Sequence, residues 1–251
     1  FHSLCARLLR QESENTERTK DFVIYDSSDQ RQLIKQSMLY HRIDDTKYKP
    51  QNIHSTISTA KNDLIGVSEF NRDSYYHEIV ARVYERYQQL LHQNNALDFD
   101  DLLVEAVFLL RDHVAVREHY QNLYQKILVD EFQDTNLAQY ILLRLLSGKY
   151  KDLFVVGDPD QSIYRWRGAD YRNVRRFQTD YPDAEVIFLR QNYRSTQTIL
   201  DAATAVIDKN HSGGTMRLFT DTSGGEKIYV HEAYDEEEEA QYVVKAIKKN
   251  A

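Results

Sequence analysis

Apolar positions recur every three or four residues through most of this chain. In a few places they run together instead and stop abruptly at an acid. The first pattern predicts helices. Leu4, Leu8 and Leu9 place one over residues 3–10, and residues 11–20 are polar and irregular. Ser27 with Gln30 three residues later predicts a capping box and a helix reaching Tyr40. Pro50 marks a loop, and residues 51–61 and 74–93 are helical again. In the longer of these, Tyr76, Ile79, Val80, Val83, Tyr84, Tyr87, Leu90 and Leu91 form one wide stripe, whose tyrosines read as core. Residues from about 16 to 96 therefore carry almost no strand signal.

From Leu97 the pattern changes. Helices are predicted at 100–111 and 114–125, then a strand at 126–130 and a helix at 136–147 closed by Gly148 as C-cap. A strand at 152–157, a helix at 170–180 and a strand at 185–190 follow. A helix from about 196 to 209, glycine turns at 213–214 and 224–225, a strand at 226–232 and a helix from about 235 complete the order. Strands alternating with helices define an α/β fold with a parallel sheet, with the helical block inserted into it or beside it. The acidic run Glu236–Glu239 opens the last helix, where negative charge suits the helix dipole, and reads as a solvated helix start.

Composition narrows the class. The 251 residues suffice for one large or two modest domains, and 28% charge with 8 glycines and 3 prolines suits a helix-rich fold. No apolar run approaches the roughly 20 residues needed to span a bilayer. The single cysteine, Cys5, excludes an internal disulfide and any multi-cysteine metal site, and fits a reducing compartment. Net charge is -7, so nucleic-acid binding would have to rest on a local field rather than on a basic excess. The chain opens at Phe1 inside one helical pattern and stops at Ala251 inside another, which leads us to expect a piece of a longer protein.

The chemistry concentrates between Ile127 and Asp170. The run ILV ends in Asp130-Glu131, and LFVV ends in Gly157-Asp158 with Gln161 close behind. Charged groups at the carboxyl ends of neighbouring parallel strands lie where open α/β sheets bind ligands. An acid there can hold magnesium through water, and a second can orient a water in line with a γ-phosphate. An amide such as Gln161 can report whether that phosphate is present. Tyr164, Arg165, Trp166 and Arg167 alternate aromatic and cationic groups, a pattern suited to stacking bases and holding phosphates. Gln191-Asn192-Tyr193-Arg194-Ser195 follows the apolar run EVIFL and offers an arginine finger and a stacking ring. The 9 histidines form no HExxH pattern, and neither a GxSxG elbow nor a GxxxxGKS/T loop occurs.

DEFQDTN, VVGDPDQSIYRWRGAD and LRQNYRS, in this order and spacing, resemble motifs II, III and IV of superfamily 1A DNA helicases of the UvrD/Rep/PcrA group. FHSLCARLLR resembles motif Ib and LDFDDLL motif Ic, so the likeness spans essentially the whole chain. It implies a RecA-like P-loop NTPase core with an inserted all-helical subdomain, and the start of a second RecA-like domain. Residues 1–15 and 97–190 would belong to subdomain 1A, 16–96 to the helical 1B and 191–251 to 2A. The implied activity is ATP-driven 3′-to-5′ movement on single-stranded DNA and unwinding at single-strand/duplex junctions, in the bacterial cytoplasm with the nucleoid. Asp130 would hold Mg²⁺, Glu131 would be the general base, and Gln161 would contact the γ-phosphate of ATP. Arg194 would stabilise the transition state and Tyr193 would stack on adenine. Phe1, His2, Phe99, Tyr164, Trp166 and Arg167 would line the path of the single strand. The phosphate loop would precede Phe1 and motifs V and VI would follow Ala251, so the isolated chain is expected to bind ATP weakly without hydrolysing it. Two other readings stay open: a non-catalytic single-stranded-DNA-binding remnant, and a metal-dependent nuclease using the acids directly.

Overall fold

A computed structural model describes residues 1–163, 169–170, 172–209, 217–222 and 224–250. The chain divides into two compact units, Phe1–Asp183 and Ala184–Ala251. Among the described residues no helix is long and apolar enough to cross a membrane.

The first unit begins with α1 (His2–Gln11), β1 (Val23–Ile24), α2 (Ser27–Tyr40), α3 (Pro50–Asn62) and α4 (Tyr75–Gln93). There follow β2 (Ala96–Leu97), α5 (Phe99–Asp112), α6 (Val114–Leu123), β3 (Ile127–Val129), α7 (Leu137–Ser147), β4 (Leu153–Val155) and α8 (Arg172–Asp180). Its interior is split into separate clusters. Helices α2, α3 and α4 bury Leu33, Ile34, Ile53, Ile57, Val80, Val83 and Tyr87 against one another. Helices α1, α5, α6 and α7 close around Cys5, Leu8, Leu102, Leu103, Ala106 and Leu142. A smaller cluster of Val129, Phe132, Tyr140 and Leu143 sits beneath the ends of β3 and β4. The predicted stripe of α4 is the buried face of the helix, with Tyr84 and Tyr87 inside and Tyr76 partly covered.

Several local expectations change. The stretch expected to lack strands contains β1, which pairs in parallel with β2 through Val23↔Ala96 and Ile24↔Leu97. Two residues a side are too few for any periodicity to register. The capping box of α2 is Asp26 with Asp29, not Ser27 with Gln30. Asp26 is the last extended residue, so its carboxylate meets the free Ser28 and Asp29 N–H groups, while the Gln30 amide donates to the Tyr25 carbonyl. Pro50 opens α3 instead of a loop, because the first helical turn requires no donor there. Gly148 is the C-cap of α7 as expected, with right-handed angles (φ -57°), and the left-handed residue is Lys151 (φ 54°), whose N–H bonds the Ser147 carbonyl.

The second unit holds α9 (Gln197–Ile207) and α10 (Glu236–Asn250). The expected strands 185–190 and 226–232 join no ladder among the described residues. The one pairing there is a single parallel bridge, Gln191↔Phe219. Val186 to Leu189 are exposed. At the expected turn 224–225, Gly224 and Gly225 take φ of 83° and 124°, angles that favour glycine. At Gly225 a Cβ would also meet Thr196 Oγ1 at 2.6 Å. The turn expected at 213–214 lies outside the described residues.

Candidate active site

Strands β3 and β4 run parallel and in register, Val129 beside Val155, so their carboxyl ends emerge together. The pairing extends one step past the strands: Val156 donates to the Val129 carbonyl (2.8 Å) and Phe132 to the Val156 carbonyl (2.9 Å). Asp130 leaves the end of β3 with its carboxylate exposed, and its Oδ1 accepts the Glu131 N–H at 3.0 Å. Glu131 turns the chain with left-handed angles (φ 51°, ψ 43°). A side chain in that region costs about 1 kcal/mol or more, so the surroundings must hold it there. They do so through a 3-10 turn, Phe132–Asp134, whose Phe132 ring is buried edge-on against Phe177 at 5.6 Å.

Gln133 lies inside this turn and is buried. Its Nε2 donates to Glu131 Oε2 (2.8 Å), and its Oε1 accepts the Asp158 N–H (3.0 Å). Asp158 in turn begins a second 3-10 turn, Pro159–Gln161, and accepts from the Asp160 N–H (3.0 Å) and from Gln161 Nε2 (2.7 Å). Asp130, Glu131 and Gln161 therefore belong to one hydrogen-bonded assembly at the sheet edge.

Behind it, Thr135 and Asn136 carry the chain into α7. Asn136 is the cap, with Gln139 answering in a capping box. The fully buried Asn173 of α8 donates to the carbonyls of Thr135 (2.9 Å) and Asn136 (3.1 Å). Asp170 accepts from Arg172 and Arg176, which, against the cost of burial, hold its carboxyl below the usual range. The first acidic segment and the segment leading into α8 are thus pinned together.

A third set of residues gathers at the start of α5. Asp98 caps the helix, and Phe99, half exposed, is its first residue. The His2 ring meets Phe99 edge-on with centroids 5.9 Å apart. Burial lowers the His2 pKa from its usual value. Phe1 is exposed at the head of the same helix α1. The structure thus brings two of the proposed strand-lining residues into contact.

Tyr193 and Arg194 belong to the second unit, where Asn192 Oδ1 accepts the Arg194 and Ser195 N–H groups (2.9 and 2.7 Å) and shapes the turn. The Tyr193 ring is exposed, with its hydroxyl donating to Gln191 Oε1 at 2.8 Å. Tyr164, Trp166 and Arg167 lie outside the described residues.

The donor set fits magnesium. The ion binds one or two carboxylates and completes its shell with water and phosphate oxygens. Asp130 is such an exposed carboxylate, and among the described residues no cluster of three or more His, Cys, Asp or Glu could cage a metal unaided.

Two parallel strands deliver an acid pair and an amide loop to one edge, the place where open α/β sheets bind ligands. The family model of the UvrD/REP helicase N-terminal domain matches residues 1–182, and that of the UvrD-like helicase C-terminal domain matches residues 187–251. The chain belongs to the UvrD/REP helicase family. Over 252 aligned positions it is 45% identical to the ATP-dependent DNA helicase PcrA of Staphylococcus aureus, covering 100% of this chain and 34% of that protein. PcrA of Staphylococcus epidermidis is also 45% identical, with 35% of its length covered. The chain thus spans about a third of the length of the curated relatives it matches.

Sequence reasoning found the acids and Gln161 because they interrupt apolar runs. It missed Gln133 and Asn173, whose roles depend on contacts 25 and 38 positions away. An amide set between the acids Glu131 and Asp134 was the available clue to Gln133.

Proposed function

We propose that this chain supplies about a third of an ATP-driven DNA helicase that moves 3′-to-5′ on single-stranded DNA and opens duplex at the junction. The observation that carries the reading is the assembly at the β3/β4 edge, where Asp130, Glu131 and the Gln161 turn share one set of hydrogen bonds. Bound Mg²⁺ would neutralise phosphate charge and help orient the nucleotide. Asp130 holds the ion. Glu131 takes the proton of the attacking water, and Gln161 contacts the γ-phosphate in exchange for its present bond to Asp158. Arg194 stabilises the charge that develops on the transferring phosphoryl group, and Tyr193 stacks on adenine. Phe1, His2, Phe99, Tyr164, Trp166 and Arg167 line the strand, where each stacked base contributes about 1–3 kcal/mol. Acting on DNA, the protein works in the cytoplasm with the nucleoid.

The test is polarity. The full-length protein with ATP and magnesium should unwind a duplex carrying a 3′ single-stranded tail and leave a 5′-tailed duplex intact. Equal unwinding of both would overturn the directional reading. Cleavage of the DNA without ATP would favour the nuclease instead.

A further inference from the structure

Among the described polar groups buried near the site, Gln133 alone bonds both to the acid that would act as base and to the loop that would sense phosphate. It is 2% exposed. Its amide orientation is fixed by chemistry: Nε2 must face the Glu131 carboxylate, and Oε1 must face the Asp158 N–H. The reverse orientation would set a carbonyl against a carboxylate and an NH₂ against an N–H.

Gly157 makes room for this arrangement. A Cβ on Gly157 would fall 2.7 Å from Gln133 Oε1 and 3.2 Å from the Gln133 backbone nitrogen. The glycine is therefore required for space, since the amide packs directly on its backbone. Glu131, held in left-handed angles, could swing its carboxylate toward solvent, and the Gln133 N–H is what fixes the direction of Oε2.

We infer that Gln133 is a positioning residue, which aims the Glu131 carboxylate and ties it mechanically to the turn that carries Gln161. When Gln161 leaves Asp158 for a phosphate, the Asp158 backbone shifts with its turn. The N–H of that same residue is the one Gln133 Oε1 accepts. Displacement at the sensor thereby reaches the base through one amide. The inference rests on the reading of Glu131 as the general base.

The experiment uses the full-length protein with saturating single-stranded DNA. Gln133→Met keeps the buried volume and removes both hydrogen bonds. Gly157→Ala keeps every polar group and pushes the amide aside. Both should lower kcat for ATP at least tenfold while KM for ATP stays within about threefold of wild type. Gln133→Glu, which retains an acceptor for Asp158 but sets a like charge beside Glu131, should not rescue kcat. A residue that only fills the core would lower the melting temperature and leave kcat per folded molecule unchanged. Glu131→Gln is measured alongside. If Glu131→Gln abolishes turnover while Gln133→Met and Gly157→Ala keep kcat within twofold, the positioning role is wrong and the base assignment stands. If Glu131→Gln itself turns over at the wild-type rate, the base assignment falls and takes the inference with it.

Discussion

Lys61 is a lysine with no route to water, and it shows how much a single residue can hold in this fold. At 1% exposure its ammonium lies 2.6 Å from Asp98 Oδ2 and 2.7 Å from Asp101 Oδ1, with the Tyr87 hydroxyl donating to Asp98 at 2.8 Å. Burial disfavours its charge, yet Asp101 and Asp98 hold its pKa above the usual value. Asp100, beside this group, has the opposite problem. Burial and then the Asp98 charge push its carboxyl up to about 6, from 3.8. The folded chain therefore keeps a proton that the unfolded chain has already released, so the Asp100 contribution is fully present below about pH 3.8 and lost as pH rises through about 6. Urea unfolding of wild type and Asp100→Asn should differ in pH dependence. Wild type should lose about 1–3 kcal/mol more than the variant between pH 4.5 and 7.5. Identical pH profiles would exclude Asp100 as the source. None of this was legible in the sequence, where Lys61 reads as an ordinary helix lysine. The acids that end apolar runs, Asp130 and Glu131, were legible because charge that abruptly ends an apolar run has few explanations.

Among the elements, the helices and the paired strands β3 and β4 were read well, and the two-residue β1 was missed. The stripe of α4 needs only its own periodicity, whereas β1 is defined by a partner 73 positions away. The elements that frame the site are joined by side-chain amides rather than by apolar contact alone. Asn62, the last residue of α3, bonds Asn136 at the cap of α7, and it also donates to Asp100 at 3.3 Å. Asn173 of α8 reaches the same corner from the other side. Removing Asn173 would take its amide donor from the carbonyls of Thr135 and Asn136, which keep only the Asp170 and Tyr140 backbone N–H groups. Asn173→Ala is therefore expected to destabilise the first unit by about 1–3 kcal/mol. Hydrogen exchange should show faster opening of residues 132–136 than of the α2–α4 cluster. Uniform acceleration across the unit would mean that Asn173 does not join these elements specifically.

At the scale of the molecule, the sequence carried the fold class and the family through three spaced motifs, and the structure adds how those motifs are wired. The acidic segment after β3 and the loop after β4 are fastened through Gln133, and the segment into α8 is fastened through Asn173. In the second unit the run Val186–Leu189 and the stretch 226–232 join no ladder among the described residues, and a strand exists only where a neighbour bonds it. The central claim is that the edge of β3 and β4 performs ATP hydrolysis with Glu131 as base. Its most direct test is single-turnover ATP hydrolysis by the full-length protein on single-stranded DNA, wild type against Glu131→Gln, with nucleotide binding measured in parallel. A rate reduced by about 10²–10⁴ with binding retained is the predicted result. An unchanged hydrolysis rate in Glu131→Gln would contradict it.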